Sequence, residues 1–178
     1  MVSQHQDQAA GLNYAARRAK LREAVFGGKN PPDALLIVGI GNLFYLTGFT
    51  GSFGALLLTP DTERFLTGGI YATQAQGEVA DMPIVVNPVL KEFGETVAET
   101  AQALGVRVLG VESGVSLAWL QGMRKPMRKA KIRLKPVGAP VDKLRRIKDA
   151  DEIARLRAAA RILSLIHISE PTRLLSIS

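Results

Sequence analysis

Ser52 is the first residue whose setting invites a catalytic reading, because it lies in Gly51-Ser52-Phe53-Gly54, a glycine-flanked turn. A serine there becomes a nucleophile only when a neighbouring base takes its proton. A nucleophile elbow needs glycine two residues before the serine, and Thr50 holds that place. The only histidines, His5 and His167, stand near opposite ends of the chain, so neither is placed to serve as that base. Ser52 is therefore expected to be a loop serine. Gly39-Ile40-Gly41 follows an apolar run and invites a dinucleotide reading, but Phe44 occupies the place of the third glycine. No phosphate-cradling G-x-x-x-x-G-K-[ST] occurs either. Cysteine is absent, which excludes disulfides, zinc ribbons, iron–sulfur clusters and thiol nucleophiles together. Asp61 and Glu63 fit a turn, and Asp149, Asp151 and Glu152 fit a helix start. Spacing alone thus describes an α/β domain without a visible active site.

The elements that would position these residues belong to a chain of 178 residues and 19.2 kDa, enough for one compact domain, or one domain plus a fragment of a second. Its 47% hydrophobic and 22% charged content suits a packed core. No apolar run reaches the ~18–20 residues that span a bilayer. The start, Met1 to Gln8, is polar, so no signal peptide and no membrane partner are expected, and the expected location is the cytoplasm. Charge is unevenly placed: +3 over residues 1–29, −6 over 30–112 and +10 over 113–178. Arg124 to Lys135 holds seven basic residues and no acid. Such a patch suits an acidic surface or nucleic acid, or is a solvated helix end and edge strand. It has no interleaved aromatic residue to stack a base, so nucleic acid is not expected as a partner.

Leu12 to Phe26 reads as a helix with Leu12, Ala15, Ala16, Ala19 and Leu21 near one face, ended by Gly27-Gly28 in a positive-φ turn. Ala34 to Val38 is an apolar run expected to form a strand buried on both faces, and Gly39 to Asn42 then turns the chain. Ala55 to Leu58 and Arg64 to Thr67 are predicted to pair across Pro60-Asp61. A short helix is predicted over Tyr71 to Val79 and a strand over Ile84 to Val86. Pro88 is predicted to open a helix through Val97, Ala101 and Leu104, capped by Gly105. Val106 to Val111 reads as a strand, Ser116 to Met123 as a short helix and Ile132 to Val137 as another strand. Strands and helices alternate, so the class is α/β. Asp149 to Leu163 carries an N-cap with Glu152 three residues on, and an apolar stripe of Ile153, Leu156, Ala160 and Leu163.

The segment Asn42-Leu43-Phe44-Tyr45-Leu46-Thr47-Gly48-Phe49-Thr50-Gly51-Ser52 resembles the N-x-x-Y-L-T-G-F-x-G-S segment in the N-terminal domain of the creatinase/aminopeptidase P/prolidase family. Leu109-Gly110-Val111-Glu112 looks like that family's I-G-V-E strand. Val141-Asp142, Leu144-Arg145, Ile147-Lys148 and Glu152-Ile153 look like its connector, V-D-x-L-R-x-I-K-x-x-x-E-I. The chain departs from the family at Thr67-Gly68-Gly69-Ile70-Tyr71, where T-D-x-R-Y is usual and both the acid and the arginine are missing.

The resemblance implies a mixed β-sheet flanked by helices, with Asn42, Tyr45, Leu46, Thr47, Gly48, Phe49, Gly51, Ser52 and Tyr71 as structural motif residues. The aromatic and apolar residues Phe44, Tyr45, Leu46 and Phe49 are expected to cover the sheet. In the family a pita-bread catalytic domain follows, with two divalent metals, manganese or cobalt, held by two Asp, one His and two Glu. It cleaves the bond before proline or hydrolyses creatine by metal-activated hydroxide. In this chain only His167 and Glu170 follow the last helix as ligating types, so no catalytic, cofactor or metal residue is expected here. The expected organisation is a domain over residues 1–140, a connector and first helix of the catalytic domain over 141–163, and a non-native tail over 164–178. The expected role is a non-catalytic domain that shapes substrate access and homo-oligomer contacts, with the missing catalytic domain as partner. The alternative is a non-enzymatic interaction module of the same fold using the 124–135 patch.

Overall fold

The computed structural model describes residues 13–88 and 92–169, the side chains of 165–169 excepted. His5 and residues 170–178 of the expected tail, Glu170 among them, lie outside the described residues. The elements run α1 (Tyr14–Phe26), β1 (Ala34–Ile37), α2 (Ile40–Thr47), β2 (Ala55–Leu58), β3 (Glu63–Gly68), a 3-10 turn (Gly69–Tyr71), α3 (Ala72–Glu78), β4 (Ile84–Asn87), α4 (Phe93–Ala103), β5 (Val108–Val111), α5 (Leu117–Lys129), β6 (Arg133–Pro136), α6 (Pro140–Arg146) and α7 (Ala150–Ser169). By internal packing, residues 13–144 form one compact unit, and residues 145–169 belong to another.

The first unit is built on one six-stranded mixed sheet in the order β4-β3-β2-β1-β5-β6. Strand β1 pairs antiparallel with β2 and parallel with β5, while β2–β3 is antiparallel and β3–β4 and β5–β6 are parallel. Successive side chains of a strand leave on opposite faces, so an apolar run with no polar residue feeds two cores. Leu35, Ile37, Leu56 and Leu58 point to one core with Leu21, Leu43, Leu46, Phe49 and Val141. Ala34, Leu36, Ala55 and Leu57 point to the other with Val97, Ala101, Met123 and Met127. The α/β class with a mixed sheet flanked by helices is thus the observed architecture.

Several local expectations need correction. The buried face of α1 is Arg17, Arg18 and Leu21, whereas Ala15 and Ala19 face solvent. The surface beneath α1 offers carboxylates and free helix carbonyls, which attract guanidinium groups more strongly than alanines gain by burial. Gly27 ends α1 at φ −75°, so no left-handed turn occurs there. The expected turn at Gly39 to Asn42 is the start of α2, with Gly39 as the cap residue. Helix α4 begins at Phe93, not near Pro88. Helix α5 does not stop at Met123 but continues through Pro126 to Lys129. A proline inside a helix costs ~3 kcal/mol, and the burial of Met123, Pro126 and Met127 offsets it. Phe44 does not cover the sheet but is 46% exposed.

In the second unit α7 opens with the reciprocal cap read from the sequence. Glu152 N–H donates to Asp149 Oδ1 at 2.8 Å, and Asp149 N–H to Glu152 Oε2 at 3.1 Å. The helical backbone continues past Leu163 to Ser169, into the expected tail. Ile153, Leu156, Ile162 and Leu163 are exposed. A helix whose apolar side chains face water draws little stability from packing, so it should open easily. Backbone amides of Ile153 to Leu163 are expected to exchange with deuterium far faster than those of Leu35 to Ile37 and Leu109 to Val111. Equal protection in a monomeric sample would show that the stripe is buried in solution.

Candidate functional site

The pairing directions bring the motif residues to one end of the sheet. Strands β1, β5 and β6 finish there, β3 and β4 finish there too, and the antiparallel β2 starts there. The segments gathered at that end are the start of α2, the loop before β2, the turn Gly69–Tyr71 and the chain after Val111. In open α/β sheets this is the end where loops converge and ligands are held.

Each motif residue has a definite place. Asn42 Nδ2 donates to both oxygens of the buried Glu112 carboxylate, at 3.2 and 3.3 Å, which ties α2 to the end of β5. Leu46 is fully buried and Tyr45 half-buried, and the Arg17 guanidinium lies 4.2 Å from the Tyr45 ring centroid. Thr47 Oγ1 donates to Leu43 O at 2.7 Å and accepts from Phe49 N–H at 3.2 Å. Gly48 ends α2 at φ +78°, a left-handed conformation in which side chains are strained, and its N–H closes the helix onto Phe44 O. Phe49 is fully buried, 4.8 Å from the Phe65 ring centroid and edge-on to Tyr71 at 6.2 Å. A Cβ on Gly51 would come within 2.3 Å of Phe49 Cζ, so the loop passes the ring at backbone distance.

Ser52 Oγ and Tyr71 OH share a hydrogen bond of 2.5 Å. The side chains of His5 and His167 lie outside the described residues, and among the described residues a tyrosine hydroxyl is the group Ser52 meets. The same loop is fixed by Thr50, whose N–H and Oγ1 both donate to Glu78 at 2.7 Å, and by Thr67 Oγ1, which donates to Phe53 O. Phe53 in turn lies edge-on to Phe93 with ring centroids 4.6 Å apart. These contacts hold a loop in place. They do not assemble a nucleophile with a base. Where the family carries an arginine, Ile70 is 89% exposed. Ile40, Phe44, Phe53 and Leu117 add exposed apolar surface at the same end of the sheet.

A polar network that sequence reasoning missed anchors this arrangement from behind. Arg18 is 2% exposed and reaches three acceptors: Leu46 O at 2.8 Å, Glu63 Oε1 at 3.1 Å and Asp81 Oδ2 at 2.5 Å. Arg17 Nη1 donates to Tyr45 O at 3.1 Å, and Arg22 joins Glu63 to Thr59 O. The last carbonyls of a helix lack intrahelical donors and carry partial negative charge, so cations suit them. The available signal was the run Arg17-Arg18 with Arg22 one turn on, set against isolated acids at Glu63 and Asp81. Nothing local tells an inward arginine from an outward one.

Among the described residues no group of three or more His, Cys, Asp or Glu side chains is disposed to hold a metal ion. Asp61 sits in the β2–β3 turn, Glu63 pairs with arginines, and Asp149 and Glu152 cap α7. A two-metal centre of the kind the resemblance implies therefore has no fitting donor set among the described residues. Among them, too, no helix is long and apolar enough to cross a membrane. The basic stretch Arg124 to Lys135 forms the last turns of α5 and most of the edge strand β6.

The sequence and the fold both have relatives. The Creatinase/Prolidase N-terminal domain family matches residues 17–147. The uncharacterized peptidase YqhT of Bacillus subtilis is 34% identical over 134 residues, which cover 73% of this chain and 36% of that protein. A Xaa-Pro dipeptidase from Bacillus anthracis superposes with a TM-score of 0.76 at 26% identity, over 88% of this chain and 43% of that one. The crystallised N-terminal domain of the cytoplasmic peptidase PepQ from Mycobacterium tuberculosis superposes at 0.64 with 32% identity, over 72% of this chain and 98% of that domain. The chain thus spans less than half the length of the longer relatives and nearly all of a domain crystallised by itself. With the motif segment, the sheet order and the family match all falling within residues 17–147, the chain belongs to the Creatinase/Prolidase N-terminal domain family.

Proposed function

We propose that this chain is the non-catalytic N-terminal domain of a Xaa-Pro metallopeptidase of the aminopeptidase P/prolidase type, which shapes substrate access and homo-oligomer contacts. The observation that carries this reading is the overlay of its fold on an N-terminal domain that covers 98% of its own crystallised chain. The exposed Ile40, Phe44, Phe53 and Ile70 at one end of the sheet supply apolar surface for a neighbouring domain or subunit. In this reading residues 1–140 are the domain, 141–163 lead into a catalytic domain and 164–178 are a non-native tail. Val141 is fully buried and Leu144 packs against the same core, so the connector begins within the domain's own packing. Two divalent metals, manganese or cobalt, would belong to the catalytic domain, and the setting is the cytoplasm. The family match favours this over a free-standing interaction module.

The purified 178-residue chain should not hydrolyse Xaa-Pro dipeptides or longer Xaa-Pro peptides, with or without added manganese or cobalt. Product release would be followed by chromatography. Metal-dependent turnover that persists after removal of host peptidases would overturn the reading.

A further inference from the structure

The groove between α5 and β6 shares Met127 and Ile132 with the second core and Glu112 with the Asn42 tie, and its basic side chains have no role in either. It has a volume of about 960 Å³. Its rim carries Arg124, Lys125, Arg128, Lys131 and Arg133, all exposed, and none of their side chains has an ion pair or hydrogen bond among the described residues. Its floor is apolar where the half-buried Val115, Leu120 and Leu134 reach the surface, above the buried Met127 and Ile132. Lys131 stands at φ +58°, where glycine is the usual residue after a helix end. A lysine in that conformation is strained relative to glycine, and here its side chain adds to the rim.

We infer that this groove binds a short acidic segment of a partner protein in which Asp or Glu alternates with large apolar residues. Cations alone would suit any polyanion. The apolar floor is what selects, because a phosphate backbone leaves it uncovered while leucine or isoleucine side chains remove it from water. No aromatic residue lines the groove to stack a base. Addition of a seventh strand is a poor alternative. Arg133 N–H and Val137 N–H both point to β5, so the outer edge of β6 offers Leu134 N–H, while Pro136 has none to offer. Helix α5, with 13 residues, is about 20 Å long, which matches an extended segment of about six residues. The inference stands on this groove and does not depend on the peptidase reading.

The test is fluorescence anisotropy on the full chain with a fluorescein-labelled decapeptide carrying five glutamates and two leucines, in physiological salt. Comparison ligands are the same peptide with both leucines replaced by serine, a ten-nucleotide thymidine strand and phosphatidylglycerol vesicles. The leucine peptide should bind, and each comparison ligand should bind at least about tenfold more weakly. The double variant Arg124→Glu/Arg128→Glu should weaken the peptide by at least about tenfold, whereas Lys20→Glu/Lys29→Glu, with the same change in net charge, should leave it unaltered. All four residues are exposed, so both variants should keep the parental circular dichroism and melting temperature. Absence of peptide binding, equal binding of the serine peptide, the oligonucleotide or the vesicles, or equal weakening in the two double variants would each overturn the inference.

Discussion

Replacing Arg18 by methionine should lower the stability of the domain by about 3–5 kcal/mol, the usual result of removing one member of a buried ionic group. The guanidinium is 2% exposed and each of its nitrogens has a different acceptor: a carbonyl of α2, a carboxylate of β3 and a carboxylate before β4. Methionine can fill the volume, but it leaves Leu46 O buried without this donor and takes one of two arginines, Arg18 and Arg22, away from Glu63. Asp81 is half exposed and can recover water, which keeps the expected loss within that range. Lysine keeps the charge but presents one compact ammonium, which cannot face three acceptors in three directions, so Arg18→Lys should lose part of the same amount. Urea titration would show a lower midpoint with an unchanged slope in both variants. A loss below ~1 kcal/mol for Arg18→Met would mean that the network adds little net stability.

Phe49→Ala should cost about 3–5 kcal/mol, because it empties a fully buried site. The ring packs on Phe65 and meets the edge of Tyr71, and Gly51 passes it without room for a Cβ. Gly51→Ala should therefore destabilise by about 1–3 kcal/mol through overpacking. The two substitutions occupy one space, so their effects should not add. Gly51→Ala should cost much less in the Phe49→Ala background than in the parent, a coupling of at least ~1 kcal/mol by double-mutant cycle. Strict additivity would show that the loop moves away from the ring and that Gly51 serves another purpose. Since Ser52 and Tyr71 flank this contact, the same variants would report whether the motif segment is held by its core or by its surface hydrogen bonds.

Much of the architecture was legible because some residues carry their environment in their type. Ala34-Leu35-Leu36-Ile37 is four successive apolar residues without a polar one among them, which suits a strand covered on both sides. Thr59-Pro60-Asp61 between two strand-forming runs has the chemistry of a turn, and Asp149 with Glu152 makes its own cap from atoms three residues apart. The motif from Asn42 to Ser52, in order with Leu109 to Glu112 and the connector from Val141, was specific enough to name a family, and the family match covers the first two and most of the third.

What the chain could not announce were features settled by surfaces distant in sequence. Helix α2 is eight residues long and opens with Ile40-Gly41-Asn42, which locally favours a turn; burial of Leu43 and Leu46 beneath α1 and the left-handed stop at Gly48 make it a helix. Helix α5 survives Pro126 because Met123 and Met127 are buried in the second core. The arginines of α1 turn inward because Glu63, Asp81 and the end of α2 lie 28 to 63 residues away in the chain yet meet them in space. Sequence by itself determined the class, the Pro60-Asp61 turn, the cap of α7 and the family, since each rests on short runs of residues whose types carry their own signal. Tertiary structure alone decided which face of α1 is buried, where the Asn42–Glu112 tie forms across 70 residues, and that the basic stretch rims an apolar groove, because polar burial is favourable only once its distant partners are in place.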